Sequence, residues 1–89
     1  MKLVINTCYG GFSVSKEWAE RLGVHYHDEE KLRYNAELIS AIEAGEDVNG
    51  ACAKLEVVEL PENCTDHYVE EYDGAESVIY VVDGKLHWA

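Results

Sequence analysis

Residues 68–88 read Tyr68-Val-Glu-Glu-Tyr72-Asp73-Gly74-Ala-Glu76-Ser77-Val-Ile-Tyr-Val-Val82-Asp83-Gly84-Lys85-Leu-His-Trp88, three short runs punctuated twice by Asp-Gly. An Asp-Gly pair suits a two-residue turn that needs positive φ, and the flanking runs are rich in Val, Ile and Tyr, so the segment predicts antiparallel hairpins. Upstream, Lys54-Leu-Glu-Val-Val-Glu-Leu60 is β-branched and halts at Pro61, which predicts a fourth strand ahead of the three. Before it, Asn35 is a natural cap for a helix carrying Leu38, Ile39, Ala41 and Ile42 on one face and stopping at Gly45. Ser15, with Ser13 as an alternative cap, opens another helix through Trp18, Ala19 and Leu22 to Gly23, with Val14 placed to staple against Ala19. Leu3-Val4-Ile5 predicts an N-terminal strand ending near Thr7, and the polar residues 24–34 read as connection. The order is one strand, two helices, then an antiparallel meander of about four strands: an α+β fold with the helices on one face of a sheet.

The chain has 89 residues, enough for a single domain over 1–89, because two cores would leave each half near the size where folding alone needs disulfides or metals. Eighteen Asp and Glu against seven Lys and Arg give a net charge of −11, and the cations are scattered singly. Nucleic acid and anionic membranes, which need clustered cations, are excluded as partners. No run is long enough to span a membrane and the opening apolar stretch is too short for a signal peptide, so the expected location is cytoplasmic. Cys8, Cys52 and Cys64 are odd in number and lack C-x-x-C spacing, which makes free thiols the expectation. A small core also leaves room for an oligomer interface, and Trp18, Trp88 and the valines around Ile79 are the residues expected to extend an apolar face between copies.

The stretch Cys8-Tyr9-Gly10-Gly11-Phe12-Ser13-Val14-Ser15 carries the most chemistry. A glycine-rich turn between a strand and a helix start offers free backbone N–H groups to an anion, while Tyr9 and Phe12 offer stacking faces and Ser13 and Ser15 hydroxyls. The plainer alternative is a sharp turn with Phe12 in the core. Neither nucleotide-binding glycine fingerprint is present, and position 14 is Val where a cysteine-based phosphatase loop needs Arg, so Cys8 reads as structural and no catalytic residue is assigned. His25-Tyr26-His27-Asp28 can set two imidazoles on one face, but further ligands are not written nearby, and neither metal nor cofactor is expected. Arg33 stands out among few cations as a group able to grip a carboxylate or phosphate bidentately, with a surface salt bridge as the ordinary alternative.

On these residues the chain resembles a group of small phage and prophage proteins. They open with a strand and a Cys-Tyr-Gly-Gly-Phe-x-x-Ser turn, like Cys8 to Ser15. Later come an Arg before a helix (Arg33), an Asn-Gly leading into a strand (Asn49-Gly50), an acidic Tyr-Asp-Gly (Tyr72 to Gly74, with Glu76) and a closing Trp (Trp88). Relatives often have Asp-Pro where this chain has Asn35-Ala36, and a longer segment after the first helix. The resemblance implies a phage-associated protein of the host cytoplasm and, at this size, a counter-defence factor. One form is a sponge that sequesters a nucleotide-derived immune signal, as Thoeris anti-defence proteins do. The ligand-binding set expected is Tyr9, Gly10, Gly11, Phe12, Ser13, Ser15, Arg33, Asn49 and Trp88. The competing expectation is an acidic protein–protein inhibitor that sets the −11 surface against a basic host protein such as a nuclease.

Overall fold

A computed structural model describes all residues 1–89, and its organisation follows from the N-terminal strand, apolar at three consecutive positions. Strand β1 (Lys2–Asn6) pairs antiparallel with β2 (Leu55–Glu59), Val4 opposite Val57 and Asn6 opposite Leu55. Side chains alternate across a strand, so an unbroken Leu3-Val4-Ile5 run requires cover on both faces. Val4, Leu55 and Val57 meet a helical layer on one side, and Leu3, Ile5 and Val58 meet a second sheet on the other.

The helical layer has three members. Helix α1 (Lys16–Leu22) begins where the Ser15 hydroxyl accepts from the Trp18 N–H at 3.3 Å and ends at Gly23 in the left-handed region (φ 67°). Helix α3 (Ala36–Glu43) begins where the Asn35 side chain accepts from the Leu38 N–H at 2.9 Å. Both caps stand where the sequence places them. Between them lies α2 (Glu29–Leu32), a single turn that the sequence reading left as connection, formed because the Asp28 carboxylate accepts from the Lys31 N–H. Trp18, Leu32 and Leu38 project from these helices onto Val4, Phe12 and Val48 to make the larger core. Trp18 is thus a core residue, which corrects its expected place on an interface between copies.

The second sheet runs β3 (Asp66–Tyr72), β4 (Ala75–Val82) and β5 (Lys85–Trp88) in sequential antiparallel order, joined by the Asp73-Gly74 and Asp83-Gly84 turns with positive φ at all four residues. Its inner face sets Val69, Val78 and Tyr80 against Leu3, Ile5 and Leu60 to form the smaller core. The fold is α+β, an N-terminal strand and helices followed by antiparallel strands. The expected four-stranded meander divides, however: β2 leaves it to pair with β1, because β1 has backbone groups to satisfy and no other strand reaches them. No helix is long and apolar enough to cross a membrane.

Candidate functional site

Five of the positions singled out in the sequence, Cys8, Phe12, Arg33, Gly74 and Glu76, meet at one junction. The Arg33 guanidinium follows α2 and lies 7% exposed in a chain with few cations. It donates from Nη1 to Glu76 Oε1 and from Nη2 to Glu76 Oε2, both at 3.0 Å, and from Nη1 to the Val4 carbonyl at 2.9 Å. Its plane lies over the Phe12 ring, 4.9 Å from the centroid. Burial works to lower the Arg33 pKa, but the hydrogen bonds and charge of Glu76 outweigh it and the pKa is raised, so the group is a permanent cation. Glu76 Oε1 also accepts from the Asn6 N–H at 2.8 Å. The fully buried Asn6 side chain donates to the carbonyls of Cys8 and Gly74 and accepts from the Lys54 N–H, which ties the end of β1 to three separate turns.

The glycine turn is seated on this junction. Gly10 and Gly11 adopt φ of 136° and 102°, and Gly10 N–H donates to the Asp73 carbonyl at 3.2 Å. A Cβ on Gly74 would collide with the backbone nitrogens of Gly10 and Gly11, and one on Gly10 with Cys52. The Tyr-Asp-Gly and Gly-Gly motifs therefore need glycine because two turns cross at backbone distance.

Beyond the turn, residues 13–15 run extended between two neighbours. The Val14 N–H donates to Tyr26 O, the Ser15 N–H to Val48 O, and the Gly50 N–H to Ser13 O. These bonds hold open a cleft of about 720 Å³ whose wall includes Gly10, Ser13, Val14, Ser15, Lys16, Tyr26, His27, Asn49, Gly50 and Cys52. The Ser13 N–H has no acceptor within the protein. Tyr26 stacks on His25, 4.5 Å between centroids, while His27 is tilted against it at 4.2 Å, and 46% of Tyr26 stays exposed. His27 Nδ1 lies 3.1 Å from the Phe12 carbonyl, which can only accept; this assigns the proton to Nδ1 and leaves Nε2 as the acceptor of the neutral ring. No hydrogen bond joins His27 to Ser13, Ser15 or Cys52. No carboxylate lines the cleft, and Lys16, free of any ion pair, stands on its wall.

Of the residues expected to bind a ligand, Gly10, Ser13, Ser15 and Asn49 share this cleft. Ser15 contributes through its position, since its hydroxyl is committed to the helix cap, and the Asn49 side chain accepts from the Leu55 N–H at 2.7 Å. Phe12 is 3% exposed and packs in the larger core under Arg33, the plainer of its two readings. Arg33 grips a carboxylate of its own chain and presents no free fork; its salt bridge is buried rather than superficial. Tyr9 is exposed beside the cleft, Gly11 turns the chain outside it, and Trp88 closes β5 on the far sheet. Lys16 and Tyr26 carry no such role in the sequence reading, and His27 enters it only as a candidate metal ligand; Lys16 has one signal, a cation directly after a helix cap. No group of three His, Cys, Asp or Glu side chains is placed to hold a metal. No protein-family model matches the chain, and no curated protein or solved structure matches it significantly.

Proposed function

We propose that the chain is a non-enzymatic binding protein whose cleft takes a small nucleotide-derived ligand with at least one phosphate, in the manner of a phage counter-defence sponge working in the host cytoplasm. One observation carries this reading: in a chain of net charge −11, the wall of the largest cleft contains Lys16 and His27 and no carboxylate. A phosphate is repelled by most of this surface and is accommodated there, between Lys16 and the Ser13 N–H, while the Tyr26 ring provides a stacking face for a base. The stacking role expected of Tyr9 and Phe12 passes to Tyr26.

The test is thermal melting against ADP-ribose derivatives and cyclic nucleotides. A ligand at 100 times its Kd adds about 2.7 kcal/mol to stability. Lys16→Glu and Tyr26→Ala should remove that shift while leaving the free protein's melting temperature within a few degrees. A panel without any shift, or a shift that survives Lys16→Glu, refutes the reading. The inhibitor reading rests on a different observation: only Glu29, Glu37, Glu43 and Glu76 among the 18 acidic residues are ion-paired, so most of the negative charge faces outward. On that reading Glu70→Lys with Glu71→Lys abolishes activity in a phage-rescue assay, and the cleft variants do not.

A further inference from the structure

The register of the second sheet leaves one face without cover. Tyr68, Ile79 and Trp88 stand side by side across β3, β4 and β5, and Asp66, Val81 and Leu86 form the adjoining row. Val69, Val78 and Tyr80, which alternate with these residues, point inward to the smaller core, so the two rows point away from it. Ile79 belongs to neither core, yet it is only 9% exposed beneath its aromatic neighbours. The side chains around it are open: Tyr68 is 51% exposed, Leu86 55% and Trp88 64%.

We propose that this face packs against the same face of a second copy, about a two-fold axis parallel to the strands. Covering the exposed parts of the two rows, Tyr68, Leu86 and Trp88 with Asp66 and Val81 beside them, at about 150–250 Å² per fully buried aromatic, removes roughly 400 Å² from each copy and about 800 Å² in all. That lies just under the roughly 1,000 Å² of a stable specific interface and makes the association a weak one. Charge selects the axis. The carboxylates of the two rows and the next, Asp66 and Glu70, both lie on β3 and none lies on β5. An axis across the strands would stack β3 on β3 and set these carboxylates against each other. An axis along the strands lays β3 over β5 of the other copy, so that Tyr68 meets Trp88, Ile79 meets its own equivalent, and Glu70 falls beyond the end of β5. The inference is independent of the cleft, which lies elsewhere on the chain.

Light scattering on the full chain at ~100 µM should give twice the 10.0 kDa chain mass, with the dimer fraction rising between 50 mM and 500 mM NaCl as screening relieves the repulsion of two −11 chains. Tyr68→Lys and Trp88→Glu should each weaken association at least ~10-fold and return the chain mass. Combined in one chain, they set opposite charges at each Tyr68–Trp88 contact and should restore the dimer. Tyr9→Lys, at an exposed aromatic away from this face, should leave it intact. A parent chain that stays monomeric at both salt concentrations overturns the proposal, whatever else the face binds. A dimer that survives Trp88→Glu or is lost with Tyr9→Lys overturns the assignment of the surface, and a double variant that stays monomeric overturns the axis.

Discussion

Glu76→Gln keeps the shape of the side chain at the junction and removes its charge. The Asn6 N–H retains an oxygen to donate to, but the Arg33 fork loses one of its two acceptors at 3.0 Å and gains an amide N–H in its place. Glu29, the other carboxylate within reach, lies at 3.4 Å with its side chain half exposed and cannot neutralise a buried cation alone. Leaving a buried charge without its partner costs about 3–5 kcal/mol. A domain of this length has roughly 4–13 kcal/mol to lose, so the substitution takes away about a quarter of the total or more. At about 4–8 °C per kcal/mol for chains of 60–100 residues, melting should fall by at least ~12 °C. Urea unfolding followed by far-ultraviolet circular dichroism measures the change directly. The reasoning also predicts the sign of a coupling: Arg33→Met with Glu76→Leu, which removes both charges, should be more stable than Glu76→Leu alone. A loss under ~1 kcal/mol for Glu76→Gln, or additive losses in the double variant, would refute the view that this pair is buried and mutually dependent.

Two further outcomes follow from the turns and the surface. Gly74 and Gly84 occupy equivalent Asp-Gly turns with φ of 88° and 73°, but only at Gly74 does an added Cβ meet backbone, so Gly74→Ala should cost ~1–3 kcal/mol more than Gly84→Ala in the same denaturant assay; equal losses would show that the turns do not cross as described. The hydrogen bond to Asp66, with that carboxylate's charge, raises the Tyr68 pKa above 10.0, so the folded state holds this proton more tightly than the unfolded chain. Its stabilising effect is complete below pH 10.0 and is lost as pH rises through the folded pKa; Tyr68→Phe should flatten that part of an alkaline stability profile, and an unchanged profile would exclude it.

What the sequence disclosed was local. The caps at Ser15 and Asn35 and the two Asp-Gly turns depend on residues within four positions of one another, and each formed where its chemistry pointed. The partner of β2 was hidden, because β1 lies about fifty residues away and any β-rich neighbour satisfies the same propensities. The clue available was Leu3-Val4-Ile5 itself: three consecutive apolar residues in a strand imply a central layer. Arg33 and Glu76 lie 43 positions apart, and nothing in their neighbourhoods announces the pair beyond the scarcity of cations. The cleft was half legible, since the turn that supplies Gly10 and Ser13 is a sequence motif, whereas Tyr26 and His27 arrive from a polar stretch without a pattern.

The junction also sets a timetable. Asn6 and Glu76 meet across 70 residues of chain, and Glu76 emerges from synthesis, at ~5–20 residues per second, roughly 4–14 s after Asn6 does. Over that interval Leu3 and Ile5 have no sheet to face, and the Arg33 cation has no counter-charge from β4. The N-terminal half therefore cannot settle ahead of the C-terminal half, as vectorial folding would have it. The junction closes only after β4 has been made, and until then the nascent chain presents the apolar Leu3-Val4-Ile5 run to whatever binds unfolded segments.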